Sequence, residues 1–474
     1  MSSSNLTRRN WLASASALAA MPADAAGQTG SSRRKPNILI VISDQFRGDN
    51  LGCLGNPMNL TPNLDAMAHR GVLFRRAMTN QPVCGPARAV IFSGRYPQQN
   101  GVWRNGIGLR PSDTTMAKEL TAQGYSANYI GKWHLAPGRQ IPGGGNGPVA
   151  PQFRGGFTGL WEASNVLELT SHPFEGEMYD NDGKPMRFSN QYRVDFLTDR
   201  AGRFLTQRQD DKPFLLVVSY LEVHHQNDLD KFVPPKKYAD SYRNPFIPQD
   251  LRPIPGSWPS QMGDYYGCVK AIDDAMGRLL ATLKQQGVDR DTVVLFVSDH
   301  GNHFKTRNRE YKRSAHDASI HIPLIVQGPG FDRGVEVNEL VSLIDFTPTV
   351  LDAAGVKAPA SMPGASLMPL VERRAPDWHN EIYIEMSEST TGRALRTPQY
   401  TYSAAVPGRE ATGDRYMEYQ LYDNFADPFQ HVNLVGRADR KHVSDPLRAR
   451  LLDRIAAAGQ AKPAIAPTPL PYVC

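Results

Sequence analysis

Residues 83–96 read Val-Cys-Gly-Pro-Ala-Arg-Ala-Val-Ile-Phe-Ser-Gly-Arg-Tyr. The Gly-Pro step favours a tight turn, and the apolar run after Arg88 predicts the first turns of a buried helix. Cys84 would then lie at a helix N-terminus, where backbone N–H groups and the helix dipole favour anions. Arg88 and Arg95 add fixed positive charge. The stretch therefore predicts a site for an anionic tetrahedral group.

Two other apolar segments predict strands that are buried on both faces and end in possible metal ligands. Open α/β folds bind ligands beyond the carboxyl ends of their central strands, so such residues are expected to meet there. The two ligand pairs are Asp44–Gln45, after the strand at 37–43, and Asp299–His300, after the strand at 292–298.

A third predicted strand leads into Gly-Lys-Trp-His-Leu at 131–135. Lys132 and His134 stand two residues apart in an extended segment, so both side chains point the same way and could reach one pocket. A fourth predicted strand leads to the adjacent histidines His224 and His225.

The Cys-x-Pro-x-Arg motif, closed by Ser93-Gly-Arg95, resembles the maturation signature of type I sulfatases. These are the formylglycine-dependent sulfatases of the alkaline phosphatase-like superfamily. Gly-Lys-Trp-His-Leu after a strand is a second hallmark of the family, and the segment around Lys312 resembles the one that supplies an active-site lysine. The resemblance covers most of residues 36–460.

The resemblance implies an α/β fold in which a large domain has a mixed, mostly parallel sheet covered by helices on both faces. A smaller C-terminal α+β domain with an antiparallel sheet would follow. We expect residues 136–192 to form long loops over the sheet, and residues 341–355 to form a helix. The predicted divisions are a signal peptide at 1–26, a linker at 27–35, a catalytic domain at 36–372, and a smaller domain with a Pro-rich tail at 373–474.

The resemblance also implies that Cys84 is oxidised to formylglycine, the catalytic aldehyde. Its hydrate would attack sulfur and form a covalent sulfate ester, and loss of the second hydroxyl proton would then release sulfate and restore the aldehyde. His134 would accept that proton. Arg88 and Lys132 would stabilise the deprotonated hydrate and the sulfate oxygens.

His224 and Lys312 are expected, again by resemblance, to contact the bridging oxygen and protonate the leaving alcohol. The family commonly has Pro-His-x-Pro at this point. Val223 and Gln226 replace the two prolines here, so His225 could be the functional histidine instead.

One divalent cation is implied, held by Asp44, Gln45, Asp299, His300 and the modified Cys84. Most family members have a carboxylate where Gln45 stands, and often asparagine where His300 stands. Hard oxygen ligands favour calcium or magnesium, and we expect calcium. The imidazole makes manganese an alternative.

The expected substrate is a sulfated sugar or another sulfate ester. Arg307 and Arg309 lie between the Asp-His pair and Lys312, and we predict that they bind a uronic-acid carboxylate or a second sulfate. His225 and His316 are further candidates for substrate contact. The alternatives are solvated loop charge for the arginines and a structural role for His316.

Composition narrows the classes of protein. The net charge of +6 is small for 474 residues, and the basic residues are scattered, so we expect no nucleic-acid partner. No stretch is long and apolar enough to predict a membrane span. The cysteines are too few for a disulfide scaffold; they are Cys53, Cys84, Cys268 and Cys474.

The N-terminus predicts export. Thr7-Arg-Arg-Asn-Trp-Leu12 precedes an Ala-rich stretch, and the pattern resembles a twin-arginine signal. That machinery carries folded proteins, which suits a cysteine modified earlier by a formylglycine-generating enzyme. The expected location is therefore periplasmic or secreted.

Two other functions compete with the sulfatase prediction. The Asp-Gln and Asp-His pairs also resemble phosphonate and phosphate diester hydrolases of the same superfamily, whereas Gly-Lys-Trp-His-Leu and Lys312 favour a sulfatase. A non-catalytic protein that binds sulfated glycans could also keep such a pocket, although the intact set of motif residues argues against it.

Overall fold

The computed structural model describes residues 35–140, 145–406 and 415–468. The predicted signal peptide, the linker up to residue 34 and Cys474 lie outside these ranges. The strands are β1 (Asn37–Ser43), β2 (Val72–Met78), β3 (Ser126–Lys132), β4 (Trp161–Ser164), β5 (Ser171–His172), β6 (Glu175–Tyr179), β7 (Pro185–Ser189), β8 (Phe214–Tyr220), β9 (Thr292–Ser298), β10 (His321–Ile322), β11 (Leu324–Gln327), β12 (Val335–Ser342), β13 (Ile382–Met386), β14 (Gly392–Arg396), β15 (Tyr400–Ala405), β16 (Arg415–Asp423) and β17 (Ala464–Ala466). The α-helices are α1 (Pro62–Arg70), α2 (Cys84–Ser93), α3 (Pro97–Asn100), α4 (Met116–Ala122), α5 (Leu167–Thr170), α6 (Arg193–Gln207), α7 (Trp258–Gln285), α8 (Asp317–Ile320), α9 (Phe346–Ala353), α10 (Met368–Val371) and α11 (Lys441–Ala457).

Strand β1 lies near the middle of a large mixed sheet. It pairs in parallel with β8 on one side and β9 on the other, and β3 and β4 extend the parallel part beyond β8. The strand order is β10-β2-β11-β9-β1-β8-β3-β4-β6-β5, with β12 also beside β2 and β7 beside β6. The mixed, mostly parallel sheet expected from the sequence is confirmed.

The register brings the carboxyl ends of the central strands to one edge. Ser43, the last residue of β1, lies opposite Ser298 of β9 and Tyr220 of β8. Gly131 of β3 lies opposite Ser219 of β8. The segments that follow these strands therefore leave the sheet side by side.

Both faces of the sheet are buried, which explains the nearly continuous apolar strands. Alternate residues of β1 belong to different cores: Ile38, Ile40 and Ile42 pack with α2, α4 and α9, whereas Leu39 and Val41 pack with α1, α6 and α7. Because successive side chains of a strand point to opposite faces, β1 packs against both helical layers.

A second sheet has the order β13-β14-β15-β16-β17. Its pairs are antiparallel except for the last one, because the short edge strand β17 runs parallel to β16. Helix α11 packs on it through Leu447, Leu451 and Ile455. A smaller antiparallel sheet beyond the large one agrees with the expected fold class, and the domain boundary at residue 372 stays a prediction.

Two expectations about secondary structure were wrong. Residues 145–192 contain β4 to β7 and α5 rather than loops alone, since weakly periodic segments pair at the edge of the sheet. Residues 341 and 342 end β12, and the helix begins only at Phe346, because pairing with β2 extends the strand.

Within the described ranges no helix is both long and apolar enough to cross a bilayer. Cys53, Cys84 and Cys268 are free thiols.

Candidate active site

The carboxyl ends of β1 and β9 bring two acidic residues together. Asp44 follows β1 and Asp299 follows β9, and both side chains are fully buried. The Asp299 carboxylate accepts hydrogen bonds from the backbone N–H groups of Gln45 (3.1 Å) and His300 (2.9 Å). The two strand ends therefore form one continuous acidic cluster.

Cys84 begins helix α2, and its thiol faces this cluster. Sγ lies 3.5 Å from Asp44 Oδ1 and 3.2 Å from His300 Nε2. His300 Nδ1 lies 3.0 Å from the carbonyl of Gly301, and donation to that carbonyl leaves the Nε2 lone pair directed at the cluster. Donor atoms of Asp44, Cys84, Asp299 and His300 all lie within 4.8 Å of one another. This group of four residues could hold a metal ion.

Gln45 borders the same cluster and has an unusual environment. It is fully buried, and neither atom of its side-chain amide has a hydrogen-bond partner among the described residues. Its φ of +67° lies in the left-handed region, which is strained for a residue with a side chain. A buried amide without partners is costly, so Gln45 is a further candidate ligand for a cation.

Arg88 links the two carboxylates from one turn inside α2. Its guanidinium is fully buried and lies 3.2 Å from Asp44 Oδ2 and 3.2 Å from Asp299 Oδ2. It also donates to the carbonyl of Lys132 (3.0 Å) and to Ser219 Oγ (2.7 Å). Arg88 thus connects residues at the carboxyl ends of β1, β3, β8 and β9.

Lys132 ends β3 and points its ammonium group into the cluster. Nζ lies 2.8 Å from Asp44 Oδ2 and 3.2 Å from Glu168 Oε2. Burial opposes ionisation of Glu168, but the charge of Lys132 outweighs it and holds the pKa of Glu168 at about 2. Lys132 is therefore held between two carboxylates.

Three further predicted residues surround the thiol. Lys312 Nζ lies 2.8 Å from Cys84 Sγ, 3.1 Å from His224 Nε2 and 3.1 Å from His300 Nε2. The His134 side chain hydrogen-bonds to Cys84, and His134 has a φ of +62°. Lys312, His300 and His134 therefore contact the thiol directly. His224 contacts Lys312.

The acidic groups of the site differ in how readily they ionise. Burial disfavours the thiolate, but Lys312 and Lys132 outweigh burial and hold the pKa of Cys84 well below its usual range. Burial likewise opposes ionisation of Asp44, yet Lys132 at 2.8 Å keeps the pKa of that carboxyl low. Burial and the charge of Asp44 raise the pKa of Asp299. A divalent cation among these anions would offset their mutual repulsion.

The remaining predicted substrate-binding residues do not all lie at the thiol. His225 is next to it, stacked between His224 (ring centroids 4.4 Å apart) and Tyr311 (4.0 Å). Arg307 and His316 line a separate cavity of about 310 Å³, and Arg309 is exposed on the surface.

Partners of these two cavity residues come from the C-terminal part of the chain. Arg307 donates to the carbonyls of Phe429 (3.0 Å) and Gln430 (2.8 Å), and His316 Nε2 lies 3.0 Å from the Tyr422 hydroxyl. Their roles in substrate binding stay predictions.

Sequence reasoning missed two residues that contact the buried cations. Ser219 gave a visible signal, because a hydroxyl near the carboxyl end of an otherwise apolar strand points to the site. Glu168 gave no such signal, because it lies in the segment that was expected to form loops. Its contact with Lys132 exists only in the folded chain.

Comparison with known proteins agrees with this architecture. Residues 36–356 match the family model described as Sulfatase, and residues 309–457 match the model described as N-sulphoglucosamine sulphohydrolase, C-terminal. An ulvan-active sulfatase of Formosa agariphila is 32% identical over 90% of this chain and 82% of its own length. An arylsulfatase of Clostridium perfringens is 28% identical over 89% of this chain and 94% of its own length.

Solved structures share the fold. A Bacteroides fragilis protein assigned as the sulfatase yidJ superposes with a TM-score of 0.78 and 25% identity, covering 90% of this chain and 96% of that one. The phosphonate monoester hydrolase of Agrobacterium radiobacter has the same fold, with a TM-score of 0.70, 22% identity, and coverage of 89% and 96%.

The sheet, its helical layers and the buried cluster at the strand ends define a hydrolase of the alkaline phosphatase-like superfamily. Within that superfamily, the chain belongs to the sulfatase family, the enzymes that hydrolyse sulfuric esters.

Proposed function

We propose that this protein is an exported sulfatase that hydrolyses a sulfate monoester on a sulfated carbohydrate, with a formylglycine made from Cys84 and one bound divalent cation. The observation that carries the proposal is the set of groups around Cys84 Sγ: Lys312 Nζ at 2.8 Å, His300 Nε2 at 3.2 Å and Asp44 Oδ1 at 3.5 Å. The position of the nucleophile therefore lies within 3.5 Å of both a possible cation ligand and a possible proton donor.

The cation site suits a hard divalent metal. Asp44 and Asp299 offer carboxylate oxygens, His300 offers a nitrogen, and Gln45 has a buried amide oxygen without a partner in the described ranges. We propose calcium because most of these donors are oxygens, with magnesium or manganese as alternatives. Such an ion would supply charge stabilisation for the nucleophile and the sulfate oxygens.

The aldehyde hydrate would supply one hydroxyl for attack on sulfur and a second whose deprotonation expels sulfate. His134, hydrogen-bonded to residue 84, is suited to accept that second proton. Lys312 and His224, 3.1 Å apart, are suited to donate a proton to the departing alcohol oxygen. Lys132 and Arg88 keep positive charge beside the sulfate oxygens, which gain charge in the transition state.

A carbohydrate substrate is supported by relatives. The Formosa agariphila protein is named for its activity on ulvan, and one structural neighbour was solved with D-glucosamine-2-N,6-O-disulfate. Export to the periplasm or beyond, through the twin-arginine machinery, would bring the enzyme to such polymers. This part of the proposal depends on residues 1–26, which lie outside the described ranges.

The proposal is tested by comparing 4-nitrophenyl sulfate with bis(4-nitrophenyl) phosphate, using protein produced together with a formylglycine-generating enzyme. We expect faster turnover of the sulfate, loss of activity on chelation, and recovery with calcium. Cys84→Ala should abolish turnover, whereas Cys53→Ala, which removes a thiol outside the site, should retain it.

Other outcomes point to the competing functions. Faster hydrolysis of the phosphodiester would identify a phosphonate or phosphate diester hydrolase. If metal-loaded protein carrying the aldehyde hydrolysed neither ester nor any sulfated sugar, a non-catalytic glycan-binding protein would be the better description.

A further inference from the structure

A charged pair lies beside the proton donor of the site. Arg313 directly follows Lys312, and its Nη2 lies 2.6 Å from Glu388 Oε2. Both side chains are about one-fifth exposed, at 19% and 17%, so they are accessible from outside while most of their surface is packed. Glu310 also approaches Arg313, at 3.4 Å.

The pair is connected to the nucleophile by two hydrogen bonds. Glu388 Oε1 accepts the backbone N–H of Asn105 (2.7 Å), and Asn105 Oδ1 accepts the backbone N–H of Gly85 (2.9 Å). Gly85 is the residue after Cys84. Glu388 comes from the turn between β13 and β14, so the second sheet reaches the edge of the active site through this contact.

Both members of the pair have strained backbones. The φ angles are +74° for Arg313 and +67° for Glu388, in the left-handed region that residues with side chains rarely adopt. Such conformations persist where the surroundings fix them, and they concentrate at functional sites. Arg313 Nε is buried and finds no acceptor among the described residues, so it retains an unused donor.

The charges indicate the kind of group that this pair can bind. One guanidinium is already opposed by two carboxylates, Glu388 and Glu310, so it has no excess positive charge to attract another anion. Donors and acceptors lie side by side, which suits hydroxyl groups, because each hydroxyl both donates and accepts. Trp103, two residues before Asn105, is 36% exposed and adds an apolar surface near this edge.

We infer that Arg313 and Glu388 form a subsite for the hydroxyl groups of the sugar ring that carries the scissile sulfate. The inference rests on the proposed function and deepens it. It places sugar recognition on this neutral pair, not on a cationic pocket for a uronate or a second sulfate.

The test compares a substrate that has a sugar ring with one that has none. Glu388→Gln, Arg313→Lys and Arg313→Ala are assayed on 4-nitrophenyl sulfate. They are also assayed on the best-hydrolysed member of a panel of monosulfated hexoses and N-acetylhexosamines. We expect kcat/KM on the saccharide to fall about tenfold or more, as for loss of a hydrogen bond to a charged group, while kcat/KM on the aryl sulfate changes less than about twofold.

A matched pair elsewhere serves as control. Arg75 and Glu336 form an exposed ion pair at 2.9 Å, and Glu336→Gln should alter neither substrate. Thermal midpoints of all variants show whether folding is retained, and the conservative Arg313→Lys change keeps the charge while removing the guanidinium fork.

Three results would overturn the inference while the enzyme remains a sulfatase. The first is a parallel loss on both substrates, which would make the pair a structural clamp. The second is a loss confined to disulfated or uronate-bearing saccharides, which would make Arg313 an anion site. The third is a wild-type enzyme that hydrolyses the aryl sulfate but no saccharide. A wild type inactive on every sulfate ester would instead remove the proposed function, and the subsite with it.

Discussion

At the scale of single residues, the buried cations have two different environments. Arg88 and Lys132 are each held by carboxylates on the side of the acidic cluster. Lys312 is different, because its close neighbours are Cys84 Sγ and the ring nitrogens of His224 and His300. Lys312 thus lies beside the position of the nucleophile, with no carboxylate among these three partners. This contrast supports the proposal that Lys132 stabilises charge and that Lys312 donates the proton.

The contrast predicts a dependence on the leaving group. Lys312→Ala should lower kcat on a sugar sulfate by about 10²–10⁴-fold, the usual contribution of a general acid, because an alkoxide must be protonated as it leaves. The loss on 4-nitrophenyl sulfate should be much smaller, because the nitrophenolate needs no proton. Steady-state kinetics on both substrates measures the difference.

Lys132→Ala is the matched control for this prediction. It should lower kcat on the two substrates by similar factors, because charge on the sulfate oxygens develops with either leaving group. Equal losses for Lys312→Ala on both substrates would contradict its role as the proton donor.

Among the secondary-structure elements, the central strands and helix α2 could be predicted from the sequence. Buried parallel strands are short, apolar and sharply bounded, and β1 and β9 match the predicted segments 37–43 and 292–298. Strands β6 and β7, which lie near one edge of the sheet, could not be predicted. Their sequences, Glu-Gly-Glu-Met-Tyr and Pro-Met-Arg-Phe-Ser, have low strand propensity, and only pairing with each other and with β4 makes them strands.

Strand β13 contains a buried acid, Glu385, and its protonation should affect the free energy of unfolding. Burial raises the pKa of Glu385 to about 7. Between pH 4.5, the ordinary pKa of a glutamate, and about pH 7, the folded state therefore holds a proton that the unfolded state has lost. Stability contributed by the protonated form is lost as pH rises through this window.

Glu385→Gln should remove this loss, because the amide stays neutral at every pH. The variant should match the wild type near pH 4.5 and exceed its free energy of unfolding by about 3 kcal/mol above pH 7. Thermal or urea unfolding across this range measures the difference. A difference between Glu385→Gln and the wild type that stays constant across this pH range would contradict the prediction.

At the scale of the whole molecule, the sequence predicted what local motifs encode. Cys84, Lys132 and Lys312 each lie in a recognisable segment, and the fold brings them to one point. Contacts between distant segments could not be predicted in this way. Glu388 reaches the active site from the second sheet through Asn105, and no local pattern in either segment signals the contact.

The prediction of export rests on the N-terminal arginine pair, Arg8 and Arg9. We predict that replacing Arg8 and Arg9 together by lysine retains the protein in the cytoplasm of a bacterium with a twin-arginine pathway, because that machinery recognises the arginine pair. Immunoblots of periplasmic and cytoplasmic fractions measure the change. The thermal midpoint of the purified variant should be unaltered, and periplasmic accumulation equal to that of the wild type would contradict the twin-arginine prediction.

If Cys84 is the precursor of the nucleophile, the mass of the tryptic peptide Ala77–Arg88 must show its conversion. The protein is produced together with a formylglycine-generating enzyme, and a second sulfatase converted in the same cells serves as control. We expect residue 84 to carry an aldehyde, seen as a lighter peptide that reacts with a hydrazide. An unmodified thiol, in cells where the control is converted, would contradict it.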